Sequence, residues 1–462
     1  MRKIPPTIMS VLLLFISLFT GQGFAYSTHY TITDLGTNLD PKAINNAGQV
    51  VGTLTDVNGY KQAFLYTNGT VKALGMFGFE SWGLGINDAG TVVGKFASFS
   101  GVSHAFVSQN GQFTDLFGAT GMNAATGINN AGEIIGTITL SPRPYIRYVH
   151  TILYNNGGII DISNIAESLG LVDISSDSIP NGLNNAGQAI IFQSLCASYE
   201  CDLSALFSGG TVIGYPGGFD AYDINDHGEV IGTSELFLHV DCYLYGSGGA
   251  TTLSDFGGGY CVPRAINNLG QIVGTASDPD RYLHSFVYNK APMSDLQELI
   301  PANSGWEIQG VYDINDRGQI IGTGTISGET HAFILTPDVQ LVNIDIKPDN
   351  ESNIVNLRSN GVISIAILGS SVFDATKVNP ATVNVGGAVL ESMAESKGKR
   401  DKHFFHLKDV NGDGFMDLVC KVEVSQIYVE PNASSALITL EAETLGGQKI
   451  YGEDSIQVVP SR

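Results

Sequence analysis

The sequence predicts an all-β chain: a seven-bladed β-propeller followed by a β-sandwich domain. A nine-residue pattern, I/L-N-N/D-x-G-x-φ-φ-G with φ apolar, recurs seven times, with Ile191 in place of the last glycine in the fourth copy, and short strand-like runs follow where it stops. Composition agrees, since 56 of 462 residues are glycine and only 15% are charged, a mixture that suits short strands and tight turns better than helices.

The N-terminus is read apart from the fold. Arg2 and Lys3 precede an apolar run from Val11 to Phe19, and Gly23-Phe24-Ala25 places small residues at −3 and −1 of a cleavage site after Ala25. This is the pattern of a secretory signal, residues 1–25, too short for a stable anchor. No later apolar run reaches about 18 residues, so a secreted protein without membrane insertion is expected. With 23 Lys and Arg against 45 Asp and Glu, the net charge of −22 repels phosphate backbones and anionic lipid, which argues against nucleic acid as a partner.

The seven copies begin at Ile44, Ile86, Ile128, Leu183, Ile224, Ile266 and Ile314. A period of about 42 residues, with insertions in the third and sixth intervals, matches a four-stranded propeller blade. In each unit a first strand ends at the motif Ile and a tight turn such as Asn45-Asn46-Ala47-Gly48 follows. A return strand leads to a variable loop, an apolar third strand such as Ala63 to Tyr66, and a fourth strand. The last unit runs through Ala332-Phe333 into Pro337 without a fourth strand, while Tyr30 to Gly36 supplies one before any first strand. The N-terminal strand is therefore expected to close the ring across residues 26–338, with Val339 to Val342 as the competing candidate.

His104-Ala105-Phe106 and His331-Ala332-Phe333, with the looser Gln62-Ala63-Phe64 and His284-Ser285-Phe286, give the repeat its second mark. From Tyr30 to Asp338 the chain resembles the HAF-type extracellular repeat family. That resemblance implies architecture and export more than an activity. The histidines fall at equivalent repeat positions, for which a structural hydrogen bond to a neighbouring loop is the expectation.

Antiparallel connectivity sorts the loops onto two faces. Turns between strands one and two, and three and four, repeat the same tight Asn/Gly chemistry and are read as structural. Loops between strands two and three, and between units, hold the variation: Ser141 to His150, Ser163 to Gly182, Ser194 to Asp202 and Gln297 to Gly310. Variable aromatic and arginine-bearing loops on a rigid scaffold suit recognition, so the candidate binding residues are Trp82, Arg143, Tyr145, Arg147, Tyr148, Tyr199 and Trp306. Cys196 with Cys201 and Cys242 with Cys261 are the expected disulfides, the second pair flanking a hairpin; Cys420 reads as a buried, inert thiol.

From residue 339 to 462 the strand-like runs are Asn343 to Lys347, Val362 to Leu368, Ala381 to Val385, Phe405 to Lys408, Leu418 to Val424, Ser435 to Glu443 and Ser455 to Val459. Short strands in that number suit a β-sandwich. The runs Ile344 to Pro348, Val362 to Gly369 and Phe373 to Thr376 make this part similar to a module recurrent at the C-termini of secreted prokaryotic proteins. Within it, Asp409, Asn411, Asp413 and Asp417 stand at positions 1, 3, 5 and 9 of a loop, with Gly414 at 6 and the Phe415 carbonyl at 7. That is the multi-oxygen cage calcium requires, with Cys420 in place of the usual bidentate Glu at position 12. Calcium is the expected cofactor, in a stiffening role.

None of the short motifs of serine hydrolases, zinc proteases, phosphate-binding loops or thiol redox centres occurs in the chain. Two classes of function remain. One is a secreted non-catalytic binding or scaffold protein whose propeller face recognises an extracellular glycan or protein. The other is a propeller lyase or hydrolase acting on extracellular polysaccharide. Two carboxylates at the channel mouth, or a group such as Tyr145, Arg147 and His150, would favour the second; scattered aromatics would favour the first.

Overall fold

The computed structural model describes residues 29–75, 78–116, 118, 121–143, 146–171, 178–193, 203–215, 218–236, 239–289, 292–348, 350, 352–357, 361–389, 405–427, 429 and 433–459. The expected signal segment, the Cys196–Cys201 pair, Tyr145 and Tyr199 lie outside these residues. No described helix is long and apolar enough to cross a membrane.

From Tyr30 to Pro337 the chain is all-β and builds a β-propeller from antiparallel sheets of four strands. Six sheets take their strands in sequence, starting at Leu39, Glu80, Met122, Ser178, Phe219 and Cys261. One more contains Trp306–Ile314, Ile320–Ile326 and Glu329–Pro337, and its fourth strand is Tyr30–Thr37, in register from Tyr30 opposite Pro337 to Thr37 opposite His331. The competing segment, Val339–Leu341, instead pairs in parallel with Lys449 to Tyr451.

The motif explains the local build. Third-strand rings Phe64, Phe106, Phe286 and Phe333 are fully buried, and the last motif glycine of the second strand lies under each of them. A Cβ on Gly94 would stand 2.0 Å from the Trp82 carbonyl and 2.8 Å from the Phe106 ring; Gly52, Gly274 and Gly322 are just as tight. This glycine serves close packing. Opposite this position, held by Ile191 in the fourth unit, every first strand carries a bulge, as between Pro41 and Ala43 or Gly83 and Gly85. Neighbouring sheets pack face to face, with Ile44, Val50 and Phe64 of the first sharing a core with Ile321, Ala332 and Ile334 of the last. Burial of a single such side chain stabilises by about 1.5–3 kcal/mol.

Two segments read as loops hold short helices, Ile162–Ser168 and Leu296–Leu299. Their N-caps, Asp161 and Asp295, accept the backbone N–H of Asn164 and Gln297. The Ser141 to His150 insertion likewise departs from a loop: strands Ile134–Arg143 and Ile146–Asn155 extend the sheet ladder outward, with Leu140 opposite Tyr148.

After Pro337 two further sheets share one apolar core that includes Ile346, Ile365, Cys420, Leu440 and Ile456. Val362–Ile367 and Asp417–Glu423 are central to one, and Ser435–Glu443 and Lys449–Val458 to the other. The final strand starts at Lys449, before the expected Ser455. The run expected at Ala381 to Val385 divides: it begins in a 3-10 turn, Pro380–Thr382, because the Asn379 side chain caps the Ala381 N–H and Pro380 holds the first turn position, and ends in the strand Asn384–Val385, paired with Ser435–Glu443.

Candidate functional site

The first motif asparagine of each unit does two jobs. Asn45 Oδ1 accepts the N–H groups of Ala47 and Gln49 and so shapes its own turn. Its amide group donates to the Asn87 carbonyl of the next sheet at 3.0 Å. The same inter-sheet bond runs from Asn87 to Asn129, Asn184, Asn225, Asn267 and Asn315, and returns from Asn315 to Asn45, at 2.9–3.2 Å. All of these asparagines are buried.

A second belt runs beside the first. Asn46, Asp88, Asn130, Asn185, Asp226, Asn268 and Asp316 each donate their backbone N–H to the side-chain Oδ1 of the next member, at 2.7–2.9 Å, and Asp316 closes the loop on Asn46. Side chains link as well: the Asn46 amide reaches Asp88 and Asp316, and the Asn268 amide reaches Asp226 and Asp316. An amide donates where a carboxylate accepts, so alternation is favoured. An odd ring must contain one like pair, and here it is Asn130 beside Asn185, which avoids adjacent charges.

Inside these belts lies a cavity of about 190 Å³ lined by the motif residues and Asp223. First strands of neighbouring sheets approach closely, for a Cβ on Gly85 would meet the Gly127 Cα at 3.1 Å. Just before the motif Ile, five units carry Ala43, Gly85, Gly127, Gly182 and Ala265, while the other two carry Asp223 and Asp313. Asp223 accepts the N–H of Ile224 at 2.8 Å and that of Ile266, on the next sheet, at 3.0 Å. Asp313 accepts from Ile314 and, on the first sheet, from Ile44, both at 2.8 Å. Loss of water around the enclosed carboxyls pushes both up to about 7, against the pull of those N–H donors, and the charge of Asp223 adds to the effect at Asp313. Sequence reading treated this face as structural and passed over both aspartates; the signal available was an acid at a repeat position otherwise held by Ala or Gly.

On the opposite face the repeat histidines find their partners. Nδ1 lies 2.8 Å from Asp115 in His104, 2.9 Å from Asp161 in His150, 2.7 Å from Asp295 in His284 and 2.9 Å from Asp34 in His331. The expected partner was a neighbouring loop. The observed one is the fourth-strand aspartate of the same sheet, supplied for His331 by the N-terminal strand. Burial alone would lower His284, but hydrogen bonds to Asp295 and Asp278 outweigh it and hold the imidazolium above its ordinary range.

Three hairpin loops on this face repeat one geometry. In Asp56 to Tyr60, Ser98 to Val102 and Asp278 to Tyr282 the first side chain accepts the N–H of the fifth residue, and the fourth residue has positive φ. The turn therefore pushes apolar tips outward: Val57 is fully exposed, Phe99 86% and Tyr282 69%. Tyr60 packs edge-on against the exposed Phe79 at 5.3 Å.

The sequence-predicted binding residues fare differently. Trp306 is buried, edge-on to His331 and Phe333, and so belongs to the core. Trp82 is half-buried with the Lys95 ammonium 5.2 Å above its ring. Tyr148 is half-buried, and Arg143 and Arg147 sit on the extended strands. His150 is buried against Asp161. The Cys242–Cys261 disulfide is present, with Cα atoms 5.3 Å apart. It joins the third strand of one sheet to the first strand of the next, whereas a hairpin had been expected.

In the C-terminal loop, Asp409 accepts the N–H groups of Gly412 and Gly414, and Asp413 accepts that of Phe415. Asn411 donates to Asp413 at 2.9 Å. Asp417 is fully buried and accepts N–H bonds from Gly369 at 2.7 Å and Val410 at 2.8 Å. The donors are hard oxygens of the kind calcium takes. Among the described residues, however, no three His, Cys, Asp or Glu side chains are grouped to hold an ion. Cys420 is buried, and burial pushes its thiol up to about 12, as an inert thiol requires.

No family model matches the chain, and no curated protein matches it in sequence. Solved structures similar to it are propellers or contain them. The β-propeller domain of the Trilobed protease from Pyrococcus furiosus is 10% identical, with a TM-score of 0.45 over 67% of this chain and 95% of that one. YCF48 bound to D1 peptide is 7% identical, with a TM-score of 0.41 over 66% and 96%. The Aleuria aurantia lectin in complex with Fucα1-6GlcNAc is 9% identical, with a TM-score of 0.31 over 59% and 95%.

Proposed function

We propose that this chain is a secreted, non-catalytic binding protein, a closed seven-bladed β-propeller (26–338) followed by a β-sandwich (339–462). Its variable face recognises an extracellular glycan or protein. The observation that carries this reading is the set of three equivalent loops presenting Val57 with Tyr60, Phe99 and Tyr282 to solvent, opposite a face whose polar groups are spent on joining sheets. Exposed aromatic rings on rigid turns offer contact area at low entropic cost. Screening the mature protein against a glycan panel, with turnover assayed alongside, tests it. Binding without turnover that falls at least tenfold in a Tyr60→Ala, Phe99→Ala double variant is expected, and binding indifferent to both rings overturns the assignment of the face.

The alternative, a lyase or hydrolase acting on extracellular polysaccharide, draws on one observation: Asp223 and Asp313 are off-repeat carboxyls at the axis. Each, however, spends its oxygens on backbone N–H groups. Turnover abolished by Asp223→Asn would favour the enzyme.

Calcium in the C-terminal loop is part of the same proposal. Asp409, Asn411, Asp413, the Phe415 carbonyl and Asp417 would hold it, with the ion drawing together side chains that now hold backbone N–H groups. Adding calcium to the whole protein is expected to raise the melting temperature of the C-terminal transition by about 5 °C. Asp413→Ala should abolish the rise, and an unchanged transition in the wild type removes calcium from the account.

A further inference from the structure

We propose that the bulge residues of the first strands form a carboxylate-binding site at the propeller axis, with the Arg264 guanidinium taking the acid group of a uronate sugar and Tyr222 and Tyr312 flanking it. Every first strand has one extra residue at its bulge, two positions before the motif Ile or Leu. On four consecutive sheets it is Tyr222, Arg264, Tyr312 and Lys42; on the others it is Leu84, Thr126 and Asn181. A bulge re-aims the side chain it carries. The fold repeats the bulge but asks for no particular side chain there, so rings and cations at these places answer to something other than packing.

The ends of all the first strands line the axial cavity, which makes them the strands nearest the axis. Their bulge side chains meet across the joints between sheets. Lys42 Nζ lies 5.3 Å from the centre of the Tyr312 ring on the preceding sheet. Burial raises the Tyr222 hydroxyl above its ordinary range, against the pull of its hydrogen bond to Thr233 and of the Arg264 charge on the next sheet. The Tyr312 hydroxyl is held likewise, 3.0 Å from Thr323 Oγ1. Both threonines follow the last motif glycine, so the same contact fixes a ring on either side of the sheet that carries Arg264.

Other polar groups of the set are already engaged. Asn181 donates to the Ala221 carbonyl at 2.6 Å, Thr126 to that of Ile135 at 3.3 Å, and Lys42 to Asp40 at 2.9 Å. Arg264 is exposed and makes no hydrogen bond or ion pair among the described residues. Its planar fork matches a carboxylate through two parallel hydrogen bonds, and tyrosine faces with hydroxyl capacity to spare suit the ring and hydroxyls of a sugar. Asp40 and Asp220 beside these residues repel a dianionic phosphate about twice as strongly as a single carboxylate, which favours the uronate. The site shares no residue with the exposed loop tips, and recognition by those loops stands or falls separately.

Calorimetric titration of the whole protein with trisaccharides ending in galacturonate, glucuronate or mannuronate, beside their methyl esters and inorganic phosphate, tests the site. At least one acid is expected to bind, and its ester to bind about tenfold more weakly or worse. Arg264→Leu, which copies the residue of Leu84, should weaken the acid by about tenfold or more, while Phe99→Ala leaves it within about twofold. Should Arg264→Leu fail to fold, Arg264→Lys keeps the charge without the fork and should weaken the acid about three- to tenfold. The proposal is overturned if no acid binds, if ester and acid bind alike, if equimolar phosphate displaces the acid, or if Phe99→Ala abolishes binding that the Arg264 variants retain.

Discussion

Asn268 shows how much one side chain of the second belt carries. It donates to Asp226 at 2.9 Å and to Asp316 at 3.1 Å, while Asn185 donates to Asp226 alone among the belt carboxylates. Replacing Asn268 by Asp removes two bonds and sets three carboxylates in a row, whereas Asn185→Asp removes one bond and faces Asn130. With about 0.5–1.5 kcal/mol per hydrogen bond, Asn268→Asp should cost about 2–3 kcal/mol and Asn185→Asp about 1. Denaturant midpoints at low and high salt check both the order and its electrostatic share, which salt should shrink. The motif letter N/D was visible in sequence, but the alternation was not, because members of the belt stand some 40 or more residues apart and meet only when the ring closes.

At the scale of the strand and turn, the repeat is a packing rule. The last motif glycine faces a first-strand bulge and a third-strand ring at once, so Gly94→Ala must displace the Trp82 carbonyl or the Phe106 ring. Overpacking of this kind costs about 1–3 kcal/mol, read as a lower melting temperature. Gly111, at φ +78 with open space around it, provides the contrast: alanine there strains the backbone without a clash and should cost less, about 1 kcal/mol. Sequence reasoning placed the strands of this region because alternation and turn chemistry are local. The segments read as the loops Ser163 to Gly182 and Gln297 to Gly310 hold the two helices, whose caps, Asp161 and Asp295, end the fourth strands Gly158–Asp161 and Met293–Asp295. Each aspartate also binds a repeat histidine, eleven residues earlier in both cases.

For the molecule as a whole, closure is the decisive event. Tyr30 and Leu35 of the N-terminal strand are buried, and Asp34 holds His331. Deleting residues 29–37 would strip a ladder from Glu329–Pro337 and leave an open edge. Burial of those two side chains alone suggests a loss of about 4 kcal/mol, or about 10 °C in the propeller transition. Association of the truncated chain is expected by size-exclusion chromatography, and an unchanged melting temperature would argue against closure by this strand.

Strand order, the N-terminal strand's place and the buried Cys420 were readable from the sequence alone, because each follows from local alternation, turn residues or an incomplete repeat. Which polar groups would meet was decided only by the tertiary structure. The belts, the four histidine–aspartate pairs and the two axial carboxyls join residues whose separation along the chain carries no local signal. The same holds for Trp306, which sequence offered as a recognition residue and packing placed in the core: exposure is a property of the assembled sheets.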